Sequence, residues 1–303
     1  MESHFFDVSP ETKIHYNITR ASSSPSPLLV FIHYWGGSSM TWHKQTSPTS
    51  PHSLSKAYNT LSVDLRGWGQ STGPTEGATA RDYSILHMAS DIVALLTHLT
   101  TSPPTTTLFK HGLILIGHSM GAKVALATLS TLPTNLLTLT TGLVLLAPAP
   151  PTPLILPPEM ASQQRLAYST PSSVHWTITN VLSSASSLSD TDIKTITASS
   201  TSAHPLARDG WILHGMQDDI TPEIDALSAQ LQLTGRRMRV SVLAGELDVV
   251  EQKERVEREV VQMLRNRGFE VRFEVLTGVR HLIPLESPEG VVRGIEGVQV
   301  SGR

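Results

Sequence analysis

Short apolar runs recur along the chain, and helical patterns separate most of them. Residues 28–33 (LLVFIH), 60–65 (TLSVDL), 112–117 (GLILIG) and 142–150 (GLVLLAPAP) carry few polar positions. Continuous runs of this kind are the signature of parallel strands buried on both faces. Between them, Ile85, Met88, Ala89, Ile92, Leu95, Leu96 and Leu99 fall at helical spacing, and 122–132 (AKVALATLSTL) continues as a second helix. The order strand, helix, strand, helix predicts a parallel sheet with helices on both faces.

Ahead of it, HFFDV and KIHYNIT predict an N-terminal hairpin, and ASSSPSP (21–27) a surface loop. The alternation lapses after residue 150 and resumes with a strand at 239–248 (RVSVLAGELD). An amphipathic helix over 251–268 follows, with Val256, Val260, Met263 and Leu264 on one face, then a last strand at 270–281. Ser287-Pro288-Glu289 predicts a helix start in the tail. The fold expected is therefore α/β: a mostly parallel, doubly wound sheet formed by 1–149 and 236–303, with a helical lid inserted at 150–235. That insert is rich in Ser, Thr, Pro and Ala. Its stretch 181–200 approaches low complexity, a composition also typical of poorly ordered segments.

The 303 residues suffice for one large core with a smaller inserted unit. A net charge of −3 with 39% hydrophobic residues gives no basic face for nucleic acid or an anionic membrane. The absence of cysteine excludes disulfides, a thiol nucleophile and cysteine metal sites. No apolar run reaches the roughly 18–20 residues that span a bilayer, and MESHFFDVSP has no basic region followed by an apolar one. The expectation is a cytoplasmic protein acting on a small molecule, without metal or cofactor.

The chemistry centres on Gly117-His118-Ser119-Met120-Gly121, where the third buried strand gives way to a helix. Gly-x-Ser-x-Gly in that context is a nucleophile elbow: small flanking residues let strand and helix approach, and the serine is presented at a helix N-terminus. A serine hydroxyl needs a base. Of 13 histidines, His281 follows a late strand, as the base of this topology should, whereas His33, His43, His52, His87 and His98 do not. The base needs a carboxylate to fix its tautomer. Asp248 ends the penultimate strand and gives the chain order Ser, Asp, His; Glu246 and Glu251 compete for that role. Oxyanion amides are expected from Met120 and from Trp35 in HYWGGS (33–38), with Tyr34 the alternative to Trp35. Candidate substrate contacts are Tyr34, His118, Trp176 and Trp211; Met160 and Met216 are further candidates for an apolar pocket wall.

These segments together resemble the α/β-hydrolase-fold superfamily, in its branch of serine esterases, cofactor-free haloperoxidases and C–C hydrolases. HYWGGS resembles the family's His-Gly-x-x-Gly-Ser oxyanion turn, with Tyr34 in place of the first glycine. DLRGWGQS (64–71) resembles the family's structural Asp-x-Arg-Gly-x-Gly-x-Ser turn, and GHSMG, GELD and RHLIPLESPE match its elbow, acid and histidine segments. The resemblance covers 28–149 and 236–290 and leaves the lid uncovered. It implies a serine hydrolase cleaving a small ester or lactone, with C–C bond hydrolysis or peracid formation by the same residues as alternatives. A non-catalytic ligand-binding protein is the alternative of another class. Relatives that hydrolyse epoxides or haloalkanes use an aspartate at the elbow, so Ser119 argues against both. Tyr34 would narrow the acyl pocket, contact substrate, or pack against the lid.

Overall fold

The computed structural model describes all residues except 22–24, 185 and 300–303, so parts of the expected 21–27 loop and of the tail lie outside the described residues. The N-terminal hairpin forms as β1 (Glu2–Asp7) and β2 (Lys13–Thr19), paired antiparallel. The parallel strands are β3 (Leu28–Ile32), β4 (Thr60–Val63), β5 (Leu113–His118), β6 (Thr140–Leu146), β7 (Arg239–Gly245) and β8 (Glu270–Leu276). They assemble into one eight-stranded sheet in the order β1-β2-β4-β3-β5-β6-β7-β8.

The near-continuous apolar runs are explained by two cores. Val30, Ile32, Leu113 and Leu115 enter the cluster on one face, while Leu29, Phe31, Ile114 and Ile116 enter the cluster on the other. Strand side chains alternate, so a strand covered on both faces must be apolar throughout. Helices α1 (Ile85–Thr101) and α2 (Met120–Thr131) contribute to the first cluster.

The region between β6 and β7 is helical: α3 (Pro158–Leu166), α4 (Pro171–Thr177), α5 (Asp190–Thr201) and α6 (Thr221–Leu233). The Ser/Thr-rich stretch thus ends in a regular helix, started by a reciprocal cap between Ser189 and Asp192. One correction concerns α6. It falls inside the expected insert, yet it packs against α2 of the core and buries Ile224, Leu227 and Leu231.

The amphipathic pattern at 251–268 forms helix over 253–266, widened by one turn at Glu257–Val261. Helix α7 (Pro288–Glu296) starts at the predicted Ser-Pro-Glu and covers the second face with Val291 and Ile295. Among the described residues no helix is long and apolar enough to cross a membrane.

Candidate active site

Ser119 sits between β5 and α2 with φ 55° and ψ −117°, a conformation that non-glycine residues seldom adopt. The surrounding backbone holds it there. Its N–H donates to the Leu146 carbonyl at 2.9 Å, and its own carbonyl accepts from Ala122 at 2.9 Å. Both flanking glycines are required by close approach: a Cβ on Gly117 would collide with the Gly121 carbonyl, and one on Gly121 with the His33 carbonyl. The elbow therefore strains the serine and leaves its hydroxyl free. Among the described residues neither Ser119 Oγ nor His281 Nε2 has a hydrogen-bond partner, and both residues line one cavity of about 640 Å³. Contacts of this kind commonly tighten only once substrate is bound.

His281 follows β8, fully buried, with its backbone N–H on the Leu182 carbonyl at 3.0 Å. Its Nδ1 lies 2.8 Å from Asp248 Oδ2. Asp248 is itself fixed through Oδ1, which accepts from the amides of Val250 (2.8 Å) and Glu251 (3.0 Å). Glu246 is exposed and accepts from the Gly278 amide instead, so it is Asp248 that meets His281. Burial alone would lower the His281 pKa. The charge and hydrogen bond of Asp248, with the carboxylates of Glu251 and Glu286 nearby, outweigh it and hold the ring above the ordinary histidine value.

Two backbone amides are free at the positions expected to receive an oxyanion. Met120 heads α2, where the N–H has no intrahelical acceptor, and Trp35 N–H has no acceptor among the described residues. The Trp35 turn is shaped from below by His33, whose Nδ1–H donates to the Tyr34 carbonyl at 2.7 Å while Nε2 accepts from Leu65 N–H at 3.0 Å. Asp64 of the DLRGWGQS turn accepts from the amides of Ser39 and Gln70 and binds His15, a structural role.

The remaining candidates divide. Trp176, Trp211, Met160 and Met216 line the cavity, Trp176 from its mouth, where it is 61% exposed. Tyr34 lines it too; its ring lies 5.0 Å from that of His118, and its buried hydroxyl has no partner among the described residues. His118 is the correction. It does not line the cavity but lies behind His281, with Nε2–H donating to the His281 carbonyl at 2.7 Å. Burial, reinforced by the charge of His281, keeps its pKa well below the ordinary value, so it serves as a neutral peg beneath His281. Sequence reasoning did not place Tyr168, Val250 or Arg255 on the wall, and it considered Glu251 only as a rival acid.

A serine–histidine–aspartate geometry does not by itself make a site. Ser3 Oγ lies 2.9 Å from His15 Nε2, and His15 Nδ1 lies 2.7 Å from Asp64 Oδ2. Ser3, however, is an exposed residue of edge strand β1 and is not on the cavity wall. Ser119 differs in having the strained turn, free amides and an enclosed cavity.

The alpha/beta hydrolase family model matches residues 29–294, so the chain belongs to that family. Among curated proteins, an epoxide hydrolase of Caballeronia sordidicola is 28% identical over 109 residues, which is 36% of this chain and 28% of that protein's length. Solved structures of the same fold include a thermophilic esterase of Thermogutta terrifontis (TM-score 0.67, 20% identity, 98% and 97% of the two chains covered). A bromoperoxidase of Bacillus anthracis (0.74, 15%, 97% and 100%) and an enol-lactonase of Burkholderia xenovorans LB400 (0.70, 16%, 95% and 96%) are also similar. The family match sets the chain among the alpha/beta hydrolases, and the solved structures share its fold.

Proposed function

We propose that the protein is a serine hydrolase that cleaves a small-molecule ester or lactone through an acyl-enzyme. The observation that carries this reading is the cavity shared by Ser119, at its positive φ, and His281, whose far nitrogen is held by buried Asp248. In the reaction, Ser119 Oγ attacks the carbonyl carbon while His281 Nε2 takes its proton. Asp248 keeps the Nδ1–H tautomer and stabilises the imidazolium. The amides of Met120 and Trp35 receive the oxyanion. His281 then gives the proton to the departing alkoxide, and a water that it deprotonates in turn frees the acid and restores Ser119.

A fluorophosphonate probe tests the reading. Labelling is expected at Ser119, mapped by peptide mass, and labelling confined to Ser3 or absent altogether would overturn it. A parallel screen of p-nitrophenyl esters of graded length, lactones and a β-diketone separates ester hydrolysis from C–C cleavage.

The pH profile gives a second check. Only neutral His281 can accept the serine proton, so kcat/KM should fall as acid is added, with its midpoint above the ordinary histidine value near 6.5. A rate that stayed flat down to about pH 4 would exclude a histidine base.

A further inference from the structure

The cavity wall is mostly apolar, contributed by residues such as Leu154, Leu156, Met160 and Val249. Among the described residues that line it, the charged side chains apart from His281 are Glu251 and Arg255. They form an i,i+4 pair at the start of the 253–266 helix, with Arg255 Nη2 2.6 Å from Glu251 Oε2 and 2.6 Å from the Val250 carbonyl. The pair is incomplete. Among the described residues Glu251 Oε1 and Arg255 Nη1 have no partner, and Arg255 Nε is buried with none. Burial raises the Glu251 carboxyl to about 7 despite the guanidinium.

An ion pair largely withdrawn from water is weak evidence of a stabilising role, because apolar residues of similar volume often do as well or better. Pockets of this kind use a few placed polar groups to fix a ligand's orientation. We propose that Glu251 and Arg255 form a recognition site in the cavity wall for a neutral substrate group that both donates and accepts, a carboxamide. Its carbonyl would take an Arg255 N–H and its N–H would meet Glu251. A carboxylate offers acceptors only and would oppose Glu251 in its ionised form; an ammonium offers donors only and would oppose Arg255.

This rests on the ester-hydrolase reading, and the test keeps the two apart. p-Nitrophenyl alkanoates of several lengths are compared, each ending either in a primary carboxamide or in an isopropyl group of the same shape. An apolar wall alone would favour isopropyl. Wild type is expected to favour the carboxamide in kcat/KM by roughly tenfold or more at its best length, chiefly through KM. The ratio should fall below one in Glu251→Ala and Arg255→Met. Glu251→Gln, which keeps the side chain's shape, should lower it at least about threefold.

Because the readout is a ratio of two substrates, a general loss of activity does not imitate it. Preference for isopropyl at every length in wild type, or an unchanged ratio in all three variants, would overturn the proposal. If fluorophosphonate labels Ser119 while that happens, the hydrolase reading survives. If Ser119 stays unlabelled and neither ester is cleaved, both fall.

Discussion

Ser119→Ala is expected to lower turnover of a p-nitrophenyl ester by about four to six powers of ten while leaving the fold in place. The chemical loss follows from removing the attacking oxygen, for which no other group on the cavity wall substitutes. The preserved fold follows from the hydrogen-bond pattern. The hydrogen bonds of Ser119 are all made by its backbone, through its N–H to Leu146 and its carbonyl to Ala122, Lys123 and Ala149. The side-chain hydroxyl has no hydrogen-bond partner among the described residues. Alanine also meets the same penalty as serine at positive φ, since both carry a Cβ. Urea denaturation should therefore give a midpoint within about 0.5 kcal/mol of wild type. Activity above one hundredth of wild type in that folded variant would remove Ser119 from the mechanism. The same variant should lose its fluorophosphonate label.

Much of this site was legible in the sequence because the fold is specified by local patterns. Runs such as LLVFIH and GLILIG can be apolar throughout only if both faces of a strand are covered, and Val30 and Phe31 do enter opposite cores. Once the strands are placed, the elbow, Asp248 and His281 follow from their positions at strand ends. What stayed hidden depends on contacts between distant segments. His118 could have faced the cavity or the core; its bond to the His281 carbonyl, 163 residues away, decides the matter. Helix α5 has few apolar residues, so its periodicity is weak, and its clearest local sign is the Ser189–Asp192 cap. It is held to the core by polar bonds, Ser200 to the Gly36 carbonyl and Asp192 to Lys44 and His43, which no periodicity reveals. Likewise α6 reads as part of the insert until its apolar face is seen against α2.

Asp248→Asn is the sharper test, because it changes one proton position and little else. The two oxygens of Asp248 have different duties. Oδ1 accepts from the amides of Val250 and Glu251, and Oδ2 faces His281 Nδ1. An asparagine must keep its carbonyl oxygen toward the two amides, since turning it over would set an NH2 group against two N–H donors. Its NH2 is thereby directed at His281 Nδ1. A donor there needs the lone pair on Nδ1, which moves the ring proton to Nε2, the nitrogen that has to accept the proton of Ser119. The histidine is left in place but in the wrong tautomer, and the carboxylate that would stabilise its cation is gone. Turnover should fall by about 10⁴, the loss seen when a triad aspartate is amidated without disturbing its geometry. The pH midpoint of the residual activity should drop, because the charge and hydrogen bond that hold His281 above its ordinary pKa are removed while the opposing effect of burial remains. Glu246→Gln serves as the control: Glu246 is exposed and among the described residues its side chain meets the Gly278 amide, away from His281, so kcat should change less than about threefold. If Asp248→Asn kept more than a tenth of wild-type turnover, or if Glu246→Gln proved the more damaging change, the acid would have to be assigned elsewhere.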